Sequence, residues 1–312
     1  MPNCRTGLAA LFLSIAFWAP VSQADTGWQP IQETIRKSEK DPRQYQAVRL
    51  DNGMVVLLVS DPQAVKSLSA LVVPVGSLED PKDHQGLAHY LEHMTLMGSK
   101  KYPQPDSLSE FLKMHGGSHN ASTAPYRTAF YLEVENNALE GAVDRLADAI
   151  AAPTLAKAYA ERERNAVNAE LTMARSRDGM RMAQVSAETI NPAHPGSQFS
   201  GGNLETLSDK PGSTLHDALV SFRDTWYSAN LMKAVVYSNK PLPELARIAA
   251  QTYGRVPNKN IEKPVIDVPV VTDAQKGIFI HYVPVMPRKV VRIEFRIDNN
   301  TDKFRSKTDE LI

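Results

Sequence analysis

The chain has 312 residues, 42% of them apolar, which is enough for a sizeable core in one large domain or in one domain and part of another. Its 35 basic and 35 acidic residues cancel, which excludes the one-sided positive field of a nucleic-acid-binding protein.

Met1 to Ala24 reads as an export signal. Arg5 supplies a basic start, and Gly7 to Ala19 is an apolar run too short and wrongly flanked for a stable membrane span. Val21-Ser22-Gln23-Ala24 then offers small residues for cleavage before Asp25. The only cysteine, Cys4, lies ahead of the apolar run, so the cleaved chain has neither disulfides nor thiolate ligands. Any metal must then be held by His, Asp or Glu. Export without disulfides suits a bacterial periplasm, with no membrane attachment after cleavage.

Residues 25–44 are polar and read as an arm leading into the fold. Val48 to Val59 has the pattern of a hairpin, because Asn52-Gly53 is a strong turn signal between two aliphatic runs. Leu68 to Val75 is a further apolar strand, ended by Gly76. A helix is predicted from Gln85 to Met97, with Gly98 closing it. Ser107 and Glu110 have capping-box spacing and predict a second short helix that stops at Gly116-Gly117. The stretch 117–123 is small and polar. Arg127 to Glu135 alternates Phe130, Leu132 and Val134 against Ala129, Tyr131 and Glu133, as a strand does. Leu139 to Ala152 is amphipathic, and Ala158 to Met182 reads as one long helix. Ile190 to Lys210 is a long loop rich in Pro, Gly, Ser and Asn. A helix over Leu215–Tyr227, a strand at Ala234–Tyr237 and a helix over Pro243–Tyr253 follow. Pro257 to Pro269 reads as a linker. Gly277–Val283 and Val290–Ile297 are predicted strands, and Asp302 to Ile312 opens a helix.

Chemistry concentrates in the first helix. His89, Glu92 and His93 form H-x-x-E-H, the inverted form of the common zinc-protease motif. A helix turns by about 100° per residue, so His89 and His93 share one face and Leu87, Leu91 and Met94 occupy another. Two imidazoles beside an uncommitted carboxylate suit water activation on zinc. A histidine pair at this spacing is also often no more than a solvated pair. His115 and His119 repeat the spacing, but the intervening Gly116-Gly117 disfavours a helix, by about 1 kcal/mol per glycine. The motif lacks a third ligand. Glu163 and Glu170 lie on one face of the later helix with Val167 between them, and a carboxylate from such a helix completes a three-ligand site. The bland reading of that pair is a solvated charged stripe. The 117–123 stretch invites two readings as well, an ordinary loop or a free strand edge that a peptide can extend.

Gly86 to Met94 with Gly98-Ser99, Asn165 to Leu171, and Gly117 to Thr123 together resemble the pitrilysin/insulysin family of zinc peptidases, with likeness along essentially the whole chain, as the N-terminal part of such a protein. The resemblance implies His89, His93 and Glu170 as zinc ligands, one ion per chain, Glu92 as general base, and Glu163 as an acidic residue supporting the ligands. It implies Asn120 and Ala121 as the edge that holds bound peptide. Family members are considerably longer and close two halves around a peptide chamber.

The expected architecture is α+β, with helices on a mixed, largely antiparallel sheet. Residues 45–262 are expected to form the zinc peptidase domain and 263–312 the start of a second, similar domain. The expected function is periplasmic endopeptidase action on peptides and small proteins. The competing expectation is a non-catalytic peptide-binding or scaffold subunit of the same fold. Without a C-terminal half to close the chamber, the piece alone is expected to bind zinc more readily than it cleaves.

Overall fold

The computed structural model describes residues 27–295. The export signal and the helix expected to open at Asp302 lie outside the described residues. Strands are β1 (Trp28–Pro30), β2 (Gln44–Leu50), β3 (Val55–Ser60), β4 (Lys66–Val73), β5 (Ser118–Ala124), β6 (Arg127–Glu135) and β7 (Lys233–Ser238). Helices are α1 (Leu87–Thr95), α2 (Ser107–Met114), α3 (Leu139–Ala151), α4 (Lys157–Ala174), α5 (Asp178–Thr189), α6 (Leu215–Trp226) and α7 (Leu242–Thr252).

The strands form one seven-stranded sheet in the order β1-β2-β3-β7-β4-β6-β5. Every pairing is antiparallel except β3 with β7. The expected α+β class with a mixed, largely antiparallel sheet is therefore what the chain forms. The Asn52-Gly53 hairpin joins β2 to β3, with Gly53 at φ +84°, a backbone region open to glycine without a Cβ penalty. Alternation decides which face is covered. Val48, Leu50, Val56, Leu58, Leu71, Val73, Phe130, Leu132 and Val134 are all buried on it. α3 and α7 lie against that face and contribute Leu139, Val143, Leu146, Leu245 and Ile248 to the same core. Each such side chain contributes roughly 1.5–3 kcal/mol relative to exposure, so the core dominates over turn and cap terms.

Several local expectations need correction. The N-terminal arm is not merely a leader, because β1 pairs with β2 from Trp28↔Leu50 to Pro30↔Val48. The capping box does not form. Ser107 is already helical, and Asp106 precedes it at φ +64° with no side-chain cap. The long helix is two helices, since α4 ends at Ala174 and α5 begins at Asp178. The Asp178 carboxylate is occupied by the Val285 and Met286 amides and the Tyr282 hydroxyl, which ties the start of α5 to a distant segment. The strand expected at Gly277–Val283 is absent, and so is the described part of that at Val290–Ile297. Both segments are largely exposed and pair with no strand among the described residues; a strand exists only as a member of a ladder.

Two features position the chemistry. At one end of the sheet, β5 pairs only with β6 and presents its other edge freely among the described residues. Beside it, α1 is nine residues long, shorter than the ~12–15 that an isolated helix needs. Tertiary contacts hold it, with Leu87, Leu91 and Met94 fully buried. Its first turn has no cap from Gly86. Instead Asp80 reaches in from the preceding loop and accepts the Gly86 and Ala88 amides at 2.8 and 2.7 Å. Burial pushes the Asp80 carboxyl up to about 7, against the pull of those two donors.

Candidate metal centre

The inverted motif lies on α1 as the spacing predicts. His89 and His93 stand edge to face with ring centroids 5.0 Å apart, and α4 runs alongside. The Tyr90 hydroxyl donates to the Ala160 carbonyl, and Val167 on α4 is fully buried, so the two helices meet in a fixed rotation. That rotation separates the two glutamates that residue pattern alone left equivalent. Glu170 Oε2 lies 3.4 Å from His89 Nε2, and its Oε1 lies 3.6 Å from His93 Nε2. Glu163 reaches the opposite side of the His93 ring, with Oε2 3.2 Å from Nδ1.

Whether these residues fit a zinc ion is a matter of donor chemistry and spacing. Zinc bonds of about 2.0–2.2 Å at tetrahedral angles set neighbouring ligand atoms about 3.3–3.6 Å apart. The two imidazole–carboxylate separations, one to each Glu170 oxygen, fall in that range, and one ligand atom from each of His89, His93 and Glu170 lies within 4.8 Å of the others. Ring tautomers agree. His89 Nδ1 donates to the Gly201 carbonyl at 2.9 Å, and His93 Nδ1 donates to Glu163. Both Nε2 lone pairs are thereby left facing Glu170. Such outer partners fix ring orientation and raise ligand basicity. The donor set fits zinc.

Charges around the site point the same way. Burial would lower the His93 pKa, but the Glu163 hydrogen bond with the nearby Glu170 and Glu92 carries it above the usual imidazole value. Burial raises Glu92 above the ordinary carboxylate range, while the Thr123 hydroxyl pulls it back. Burial opposes the Glu163 charge as well, yet hydrogen bonds from His93 and Arg162 outweigh it and keep its pKa low. Three carboxylates around two imidazoles form a cage that favours positive charge. Arg162 neutralises only Glu163, at 2.8 Å.

Glu92 is buried and is not among the three residues whose ligand atoms cluster at one point. Its Oε2 accepts the Thr123 hydroxyl at 2.5 Å. Thr123 belongs to β5, so the edge strand and the motif helix meet at this carboxylate. Asn120 and Ala121 lie on the same strand and line the open cleft of about 530 Å³ in front of the motif, with Met97 and Met180 among its other walls. The Ala121 amide is held by the side chain of Asn120, at 2.9 Å to Oδ1. The second histidine pair forms no site: His119 Nε2 bonds Ser109 Oγ and His115 Nδ1 donates to the Phe111 carbonyl. Residue patterns missed Thr123, Asp80 and Gly201. For Gly201 the available signal was the long loop from Ile190 to Lys210. For Thr123 it was the polar stretch before β6, and for Asp80 there was none.

A histidine pair and a helix-borne carboxylate gather around one point, with a spare carboxylate and an open strand edge alongside, and could hold a metal ion. Comparison with known proteins agrees. Residues 55–193 match the profile of the family described as Insulinase (Peptidase family M16), and residues 214–311 match that of the Peptidase M16 inactive domain. Protease 3 of Escherichia coli K12 is 82% identical over the whole chain, and Protease 3 of Salmonella typhimurium LT2 is 80% identical over the same span. Insulin-degrading enzyme of Mus musculus is 41% identical over 239 residues, 76% of this chain and 24% of that protein. A crystal structure of pitrilysin superposes with a TM-score of 0.90 at 84% identity, over 92% of this chain and 31% of that one. The chain belongs to the M16 peptidase family. It spans about a third (32%) of the length of the Protease 3 relatives.

Proposed function

We propose that this chain supplies the zinc centre and the peptide-holding edge of an endopeptidase that acts on peptides and small proteins. The observation that carries the reading is the convergence of His89, His93 and Glu170 at ligand spacing, with Glu92 uncommitted beside them. Zinc held there by His89, His93 and Glu170 would supply Lewis acidity for water activation and charge stabilisation. Glu92 would take a proton from the attacking water and pass one to the leaving amine. Glu163 and the Gly201 carbonyl hold the two imidazoles in the tautomer that ligation needs. A peptide adds to β5 as an eighth strand, so recognition runs through main-chain groups and tolerates varied side chains. Asn120 gives up its bond to the Ala121 amide, and that amide turns to the substrate.

The enzyme's site is proposed to lie in the periplasm, on the strength of the basic start, apolar run and small-residue boundary in residues 1–24. No helix among the described residues is long and apolar enough to cross a membrane. Residues from 263 onward are proposed to begin a second unit that, with the rest of the longer protein, closes over the cleft.

Metal removal tests the reading. Treating the whole protein with a strong chelator is expected to abolish cleavage of an unstructured peptide, and restoring one equivalent of zinc is expected to recover it. Cleavage that survives complete metal removal overturns the proposal. A protein that binds peptide and zinc but never cleaves is instead the scaffold subunit.

A further inference from the structure

We propose that Thr123 is a positioning residue for the Glu92 carboxylate and links substrate docking on β5 to readiness of the base. The inference rests on the reading of Glu92 as general base. The Thr123 Oγ1 donates to Glu92 Oε2 at 2.5 Å, within the range of a hydroxyl bound to an ionised carboxylate. A carboxylate has two oxygens. With Oε2 committed to Thr123, Oε1 is the one left for a water, and rotation of the group about its last bond is stopped. Burial at 7% exposure removes solvent that otherwise substitutes for this bond.

The second part follows from where Thr123 sits. Its β5 position pairs with Thr128, two residues on from Ala121, which pairs with Phe130. Side chains two apart share a face of a strand, so Ala121 and Thr123 both turn toward α1. A peptide that adds along this edge adds to the backbone of the residue that fixes the base. Displacement of β5 by poorly seated substrate shifts Oγ1 away from Glu92, and the base loses its alignment. No other described side chain donates a hydrogen bond to Glu92.

The test compares Thr123→Val, which keeps shape and strand propensity but lacks the hydroxyl, with Thr123→Ser, which keeps it. In the whole zinc-loaded protein, Thr123→Val is expected to lower kcat about tenfold or more with KM within about threefold. Thr123→Ser is expected to restore most of the loss, and both variants should hold wild-type zinc. A readout independent of turnover is peptide affinity in a Glu92→Gln background, which adding Thr123→Val should leave unchanged. Combining the two changes should cost no more turnover than Glu92→Gln alone. Wild-type kcat in Thr123→Val, equal losses in the Val and Ser variants, or a loss confined to KM overturns the inference. If Glu92→Gln itself cleaves normally, the general-base reading fails first, which separates the two failures.

Discussion

Replacing Glu92 by glutamine is expected to leave zinc bound and to lower peptide turnover by about 10²–10⁴-fold, the usual contribution of a positioned acid–base group. Glutamine keeps the volume and can still accept the Thr123 hydroxyl, so the packing around the motif is preserved. The variant cannot take a proton. The sign of the stability change is also fixed. Burial raises the folded-state pKa of Glu92 above its ordinary 4.5, so ionisation at neutral pH opposes folding. That opposition is absent below the unfolded value and grows as pH rises through the folded one. A neutral isostere removes it, and the variant should unfold no earlier than the wild type in metal-free buffer at neutral pH. Loss of activity together with unchanged or higher thermal stability is thus the signature of a base held at an energetic cost. Zinc analysis, peptide cleavage and thermal melts on one preparation check all three. Equal cleavage by the two proteins removes Glu92 from its role, and loss of zinc from the variant makes it a ligand or a structural support.

A second large effect is expected at Gly86, the residue just before α1. It sits at φ +87°, and a Cβ there would come within 2.2 Å of Gly202 Cα and 2.4 Å of Gly202 N. Those atoms belong to the loop whose neighbouring Gly201 carbonyl holds the His89 ring. Gly86→Ala therefore forces the motif helix and the loop apart. Strain at a left-handed backbone costs about 1–2 kcal/mol, and crowding a packed contact adds roughly 1–3 kcal/mol. Zinc affinity should fall about 10–100-fold, as it does when an outer partner of a metal-binding histidine is lost. Gly212 provides the control, since it shares a positive φ of +78° but has nothing within 4 Å of the added carbon. Gly212→Ala should show only the backbone penalty, about 1–2 kcal/mol, with zinc affinity unchanged. Equal effects at the two glycines would mean that close approach between loop and helix does not matter.

These two predictions draw on different kinds of information. The motif on α1 was readable from residues because ligand and core positions lie on separate faces of one short helix. The Asn52-Gly53 hairpin and the alternation of β6 were readable for the same reason, since the pattern and the structure share one period. Glu170 was legible only as one of two candidates. Residue spacing placed Glu163 and Glu170 on one face of α4, but their roles depend on the rotation of α4 against α1, which Tyr90, Ala160 and Val167 decide. Family resemblance supplied that choice before the packing did. The free edge at β5 was ambiguous too, because Gly117 to Thr123 is small and polar whether it is a loop or a strand. Pairing with β6 resolves it.

The failures have identifiable physical origins. Ser107 and Glu110 have the spacing of a capping box, but Asp106 occupies the cap position and turns left-handed. Ala158 to Met182 contains nothing that breaks a helix before Gly179, yet it breaks at Arg175–Arg177, with Asp178 held from across the chain. Gly277 to Val283 has strand composition but no neighbour to pair with among the described residues. The helix break and the missing strand turn on contacts between segments far apart in sequence, which local patterns do not encode.

The claim on which the rest depends is that one zinc ion sits between α1 and α4. Crystals of the whole protein measured on both sides of the zinc absorption edge address it directly. The account predicts one anomalous peak per chain, about 2.0–2.2 Å from His89 Nε2, His93 Nε2 and a Glu170 oxygen, with Glu92 and Glu163 outside bonding distance. A zinc-replete crystal with no peak there, or with Glu163 in place of Glu170 among the ligands, would contradict it.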